Sequence, residues 1–397
     1  MPTDLQRTAL RELYRASHSA HPGLLIQRGL AVHDDNDSTA RTHHVAKKIC
    51  PVPASPLYRQ SYERWARLTA DDVRFRQLIL RLETRLFIGL SAGGMLETGC
   101  AIGHAHGVPY IPGSSIKGPV RAQVGSTRFA EQHSDVVKEL FGTEPSDTNP
   151  LGLSGVVTFH DAWWVPDSAP KPHTNRPLVQ EVVTTHHPDY YQNEGAVDAT
   201  DFDSPVPNAQ IAVHGSFLFV LEGDPAWTDL AARMLTATLS TRGLGAKTRA
   251  GYGFFSPDAD RQTALERQRA AWAQESRERA AATDRRRAAA AAAAALDAAT
   301  PQRRQIMQTE TRLSAFMELD ALAQRNQRSE LVGKLNDLAK AAVGWTDQSD
   351  RAAAAALIEG AFEQIGWSDP DKKKSEQRKK QEAKRRQFIA ALRGDHA

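Results

Sequence analysis

The stretch GLGAKTRAGYGFF, Gly243 to Phe255, decides how the rest of the chain is read. Gly243, Gly245, Gly251 and Gly253 enclose Lys247, Thr248 and Arg249. Upstream, PAWTDLAARMLTATLSTR places Leu230, Met234, Leu235, Thr238 and Leu239 on one helical stripe, and Gly243 is the stop that ends it. The closing GYGFF, Gly251 to Phe255, reads as a strand. Glycines allow a backbone to approach a ligand and turn its amides outward, and Lys247 and Arg249 add charge. The segment is not a Walker loop, because its lysine does not follow a glycine and the helix comes first. Nor is it a dinucleotide fingerprint, which needs a strand before and a helix after. On pattern alone, an ordinary helix-to-strand turn is an equal reading.

Moving towards the N-terminus, AVHGSFLFVLEG (Ala212 to Gly223) and GVVTFHDA (Gly155 to Ala162) read as strands. QLILRLETRLFI, Gln77 to Ile88, alternates with period two: Leu78, Leu80, Leu82, Leu86 and Ile88 face one way, Arg81, Glu83 and Arg85 the other. That predicts a long strand with one wet face. SSIKGPVRAQV carries Ile116, Val120 and Val124 at helical spacing behind two candidate N-caps, Ser114 and Ser115, with Pro119 placed in the first turn. The order strand, helix, strand, strand, helix, strand predicts an α+β fold of ferredoxin-like βαββαβ type, the topology of RNA-recognition modules. An insertion at 163–211, rich in Pro, His, Asp and Tyr, separates the second and third strands.

Three segments follow: 1–70 as a helical and loop segment packing on the central domain, 71–257 as that domain, and 258–397 as a helical extension with a basic tail. The extension holds the Ala288–Ala295 run, of the highest helix propensity, and apolar stripes such as Leu331, Leu335 and Leu338. The net charge of +3 hides an uneven spread. Between Asp71 and Phe255 there are 14 Lys and Arg against 20 Asp and Glu, whereas Lys372 to Arg386 has nine bases and two acids. Bulk potential therefore cannot hold an anion on the central domain; placed cations, amides and helix ends must. The tail reads as a solvated helix or arm that adds salt-dependent affinity if it meets RNA. No apolar run approaches the roughly 20 residues of a membrane helix, and the N-terminus has no apolar signal core, so the cytoplasm is the expected compartment. Cys50 and Cys100 are too few for a disulfide framework or a zinc site.

A second candidate site is YIPGSSIKGPVRA, where Ser114 and Ser115 open a helix and Lys117 and Arg121 share a face. A free helix N-terminus suits a phosphate; a well-capped helix with two solvated cations is the plain alternative.

Taken as an ordered set, IPGSSIKG, GVVTFHDAWW, VVTTHHPDYYQ, PVPNAQIAVHGSFLFVLEG and the late GLGAKTRAGYG resemble the RAMP superfamily of CRISPR proteins, specifically its type III-B (Cmr) members. The resemblance spans about 75 to 256, and Pro119 departs from the small residue expected there. It implies a subunit without catalysis, capping the 3′ end of a guide RNA (crRNA) beside other RAMP subunits that also meet target RNA. By position, Gly243, Gly245, Lys247, Thr248, Arg249 and Gly251 would meet the guide backbone, with Ser114, Ser115, Lys117 and Arg121 as a second contact. Two rival readings stand. His186 or His187, near Asp189 and Tyr190, would serve metal-independent RNA cleavage, although adjacent residues of an extended strand face opposite ways. Alternatively, the C-terminal helices dock another protein on a RAMP scaffold. No metal motif and no cofactor motif is present.

Overall fold

The computed structural model describes residues 3–9, 11, 20–34, 38–92, 94, 96–145, 150–365 and 376–393. The chain divides into two compact units, 1–274 and 275–397.

The first unit is built on one antiparallel sheet. In chain order its elements are helix α1 (Pro56–Leu68), strand β1 (Phe75–Leu82), β2 (Tyr110–Ile111), helix α2 (Gly113–Gly125), β3 (Thr158–Phe159) and β4 (Ala162–Trp164). Then come β5 (Leu178–Thr185), β6 (Val206–Val213), β7 (Ser216–Glu222), helix α3 (Pro225–Thr241), β8 (Phe255–Pro257) and helix α4 (Ala259–Ala298), of which the residues up to Gln274 belong to this unit. The sheet runs β8-β1-β7-β4-β2, with β3 also on β7. Counting β3 and β4 as one interrupted strand, the βαββαβ strands lie in the order fourth, first, third, second. The fold class is therefore the one the periodicities predict.

Central β7, SFLFVLE, is buried on both faces, and the reason is visible on each side. Under one face, Phe217, Phe219 and Leu221 join Leu80, Ile116, Val120, Leu235 and Leu239 in the main core. Under the other, Leu218 and Val220 meet Ile79, Ala66 and Leu265, with Trp65 and Trp272 packed against them. The expected wet face of β1 is thus dry at its start: Ile79 is 4% exposed. Gln77 is also buried there and donates from Nε2 to Ala66 O at 2.7 Å and Thr69 Oγ1 at 2.8 Å. Only from Arg81 onward does that face reach solvent. The first turns of α4 belong to this packing. Asp258, just before α4, is buried and accepts Ser216 Oγ–H at 2.7 Å, and Gln262 Oε1 accepts Ile79 N–H at 2.9 Å.

Five further strand and helix limits differ from expectation. The strand expected over Gln77 to Ile88 ends at Leu82, and beyond it Leu86 and Phe87 make only isolated bridges to Val213 and Ala246. The 155–162 strand is interrupted at His160 and Asp161, and pairing resumes at Ala162. Ala212 and Val213 belong to β6, which pairs with β5 in a separate hairpin that fills the insertion. Gly215, at φ +100°, divides β6 from β7; a Cβ there would lie 2.6 Å from Trp164 Nε1. Gly251 and Gly253 have positive φ, which a strand cannot hold, so β8 begins only at Phe255. Pro119 is not in the first turn of α2: Gly113 opens the helix, so Pro119 lies inside it and removes one intrahelical hydrogen bond.

Segments before β1 feed the same core. The helix Pro22–Arg28 contributes Leu25 and Ile26, the turns around Val45–Ile49 contribute Val45 and Ile49, and α1 contributes Tyr58.

In the second unit, α5 (Pro301–Met317), α6 (Ala321–Val343), α7 (Gln348–Ile365) and α8 (Glu376–Arg393) share a core of Leu313, Phe316, Leu331, Leu335, Leu338, Ile358, Phe362 and Leu392. Asp320 starts α6 by accepting Ala323 N–H at 2.8 Å. Of the basic tail, residues 372–375 lie outside the described residues, and Glu376 onward is helix α8.

Candidate nucleic-acid interface

The loop after α3 is a closed structure pinned to the chain that follows β1. Leu244 is 1% exposed and anchors it in the core. Leu244 N–H donates to Gly253 O at 2.9 Å, Ala246 N–H to Phe87 O at 2.8 Å and Gly253 N–H to Arg85 O at 2.8 Å. These bonds explain the glycines. A Cβ on Gly253 would lie 1.9 Å from Leu244 O, and one on Gly245 would lie 2.2 Å from Phe87 O. Both distances are impossible, so these glycines serve the loop's approach to its own protein rather than to a ligand. Gly251 is different: it has φ +91° and nothing within 4 Å of a built Cβ.

Between the anchors the chain bulges outward. Lys247 sits at φ +60°, a left-handed conformation uncommon for a side-chain-bearing residue, and begins a single turn over Thr248–Ala250. Lys247 and Arg249 are exposed, Thr248 is half-buried, and neither cation makes an ion pair among the described residues. Alongside, Tyr252 packs on Phe87 with ring centroids 4.6 Å apart. Burial raises the Tyr252 pKa, with Glu181 adding to it. Arg85 is held by Glu181 and by Gln180 O, tying the β5–β6 hairpin to the base of the loop. The result is a rigid platform carrying two unneutralised cations.

The second segment is arranged differently from its sequence reading. Neither Ser114 nor Ser115 caps α2; its N-cap is Pro112, without a side-chain hydrogen bond. Instead Asp161 Oδ1, from the break between β3 and β4, accepts Gly113 N–H at 2.8 Å. A carboxylate already stands at that positive helix end, which disfavours a phosphate there. Ser114 is exposed and Ser115 half-buried. Lys117 has its pKa lowered by burial and then by Arg121, and Arg121 lies 3.9 Å from Glu144 Oε1. No hydrogen bond or ion pair among the described residues joins this segment to the glycine loop; the two share only the apolar core beneath them. In sequence Asp161 stands only as part of the motif GVVTFHDAWW; its role at this helix end could not be read there, because its partner is 48 residues away.

At the tip of the hairpin, His187 Nδ1 lies 2.8 Å from Asp203 Oδ2. Asp203 also accepts from Thr200 N–H and Oγ1–H, and these bonds, led by that to His187, lower its pKa. The pair braces the tip loop. His186 stands apart, its ring centroid 6.5 Å from that of His187. Among the described residues, no group of three or more His, Cys, Asp or Glu is placed to hold a metal ion. No helix among them is long and apolar enough to cross a membrane.

Residues 79–256 match the sequence model of the RAMP superfamily. Among curated proteins, the chain is 30% identical over 181 residues to the CRISPR system CMR subunit Cmr6 of Saccharolobus solfataricus, covering 43% of this chain and 54% of that protein. It is 22% identical over 262 residues to the corresponding Cmr6 subunit of Pyrococcus furiosus, covering 51% of this chain and 74% of that one. The chain thus spans about half the length of the first of these relatives. Among solved structures, a chain in the cryo-EM structure of the type III-B Cmr-beta bound to cognate target RNA is 19% identical, with a TM-score of 0.41. That match covers 57% of this chain and 76% of the other.

Proposed function

We propose, from the premise that residues 79–256 form a RAMP superfamily domain, that this chain is a non-catalytic guide-RNA-binding subunit of a type III-B CRISPR (Cmr) effector complex. Its place is the end of the assembly that holds the 3′ part of the guide. The observation that carries this reading is the exposed Lys247 and Arg249, without an ion pair among the described residues, on a loop fixed by three backbone hydrogen bonds. Such a loop presents charge to a phosphate backbone without reorganising. The names of both curated relatives, CMR subunits, support membership of a multi-subunit complex. Charge supports it as well. With 14 bases against 20 acids between Asp71 and Phe255, the domain has few placed cations, so guide affinity is shared with neighbouring RAMP subunits on the same RNA. Target RNA reaches the chain only as part of the loaded complex. His187 has a structural partner in Asp203 and is given no chemistry in this reading.

The test is guide retention by the assembled complex carrying Lys247→Ala and Arg249→Ala together. For single-stranded RNA, each cation withdrawn from a phosphate makes the log–log salt slope shallower by about 0.7. Both residues are exposed, so the melting temperature stays at the wild-type value. Unchanged retention and an unchanged slope refute the assignment.

A further inference from the structure

We propose that the cavity beside the N-terminus of α2 is a pocket for one unpaired nucleobase, favouring guanine over adenine. The RNA-binding reading supplies only the source of the base; the pocket's chemistry stands on its own observations.

The cavity is about 220 Å³ and is lined by Tyr58, His104, His106, Tyr110, Asp161 and Trp163 among others. That is smaller than the roughly 300 Å³ at which pockets for larger ligands begin, and suits a single planar ring system. Its aromatic residues are fixed. Trp163 stacks on Tyr58, with centroids 5.9 Å apart and planes at 15°, and on Trp65, at 6.1 Å and 19°. Tyr58 meets His106 edge-on at 5.8 Å, and its hydroxyl donates to Trp164 O at 2.6 Å. Pre-positioned aromatic rings are what nucleobases stack on.

One polar feature points to a ligand. Asp161 sets the preference. Its Oδ1 takes Gly113 N–H, while its other oxygen has no partner among the described residues. An ionised carboxylate accepts only. Guanine offers it two adjacent donors on the Watson–Crick edge, N1–H and the 2-amino group. Adenine offers one donor beside an acceptor, which the carboxylate repels.

The same geometry provides a specificity switch. Asn caps a helix as well as Asp does. In Asp161→Asn, the amide oxygen stays on Gly113 N–H and the amide NH₂ replaces the free oxygen, turning an acceptor into a donor. Saturation-transfer NMR on the full chain, with GMP, AMP and ribose 5-phosphate, reads this at weak affinities. Transfer to the GMP base proton should exceed that to AMP several-fold, with little to ribose 5-phosphate. Asp161→Asn should abolish the guanine preference, and His106→Ala, which removes one of the rings lining the cavity, should weaken base binding several-fold. Lys247→Ala with Arg249→Ala should leave the GMP-to-AMP ratio unchanged. If that double variant also retains guide RNA normally, the function reading falls and the pocket stands. Equal transfer to GMP and ribose 5-phosphate overturns the pocket. So does a wild-type GMP-to-AMP ratio in a folded Asp161→Asn, or an undiminished GMP signal in His106→Ala.

Discussion

Replacing Gly253 and Gly251 separately with alanine should give unequal losses of stability, although both residues have positive φ. At Gly251, φ is +91° and the added Cβ meets nothing within 4 Å. The cost is then the left-handed backbone alone, about 1–2 kcal/mol for a residue with a Cβ. At Gly253, the same strain at φ +76° is joined by a Cβ placed 1.9 Å from Leu244 O. The loop must open to relieve it. Opening forfeits the bonds from Leu244 N–H to Gly253 O and from Gly253 N–H to Arg85 O, each worth about 1 kcal/mol net. It also loosens Leu244, whose full burial is worth about 1.5–3 kcal/mol. The total for Gly253→Ala is about 4–5 kcal/mol if only part of the Leu244 burial is lost. Each kcal/mol moves the melting temperature of a domain of 150–250 residues by about 2–4 °C. Melting of unit 1–274, followed by its tryptophan fluorescence, should therefore fall at least twice as far for Gly253→Ala as for Gly251→Ala. Equal shifts would refute the argument that self-packing, rather than ligand approach, fixes this glycine.

Three further outcomes rest on hydrogen bonds and burial elsewhere in the first unit. A chain ending at Pro257 loses Asp258, Gln262 and Leu265, leaving Ser216 Oγ and Ile79 N–H without their partners and one sheet face bare; it should aggregate in size-exclusion chromatography, whereas a chain ending at Gln274 should run as a folded monomer with native circular dichroism. Asp161→Ala should destabilise the first unit by about 1 kcal/mol in urea titration by uncapping α2, and Asp161→Asn should restore it. His44 and His214 have their pKa values lowered, first by burial, while Nε2 of each lies against a backbone oxygen, Leu25 O and Arg176 O. Since the unfolded chain then binds protons more readily, stability should be flat above about pH 6.5 and fall as pH drops below it, with a shallower fall in His214→Gln.

Local pattern accounts for what was legible beforehand. The period-two run through Leu78, Leu80 and Leu82 and the stripe through Leu235 and Leu239 are set by neighbours within a few residues, and both elements form there, although the strand stops at Leu82 rather than running on to Ile88. The order of those elements gives the βαββαβ connectivity. The outward bulge of Lys247 to Arg249 was legible too, since cations flanked by turn-forming glycines have no apolar reason to be buried. Elements whose limits depend on distant backbone were not. The start of β8 is fixed by glycines that close on Leu244, Arg85 and Phe87, and the end of β6 by Gly215 against Trp164.

The sequence by itself determined the alternation of strand and helix, the apolar face of each and the exposed cations of the glycine loop, because each follows from spacing along one segment. Only the tertiary structure decided which faces are dry and which polar ends are occupied. Ile79 is covered by Leu265 of a helix more than a hundred residues later, and the N-terminus of α2 is filled by Asp161 rather than by its own serines. Burial and hydrogen-bond satisfaction are properties of surfaces brought together by the fold, so no window of sequence contains them.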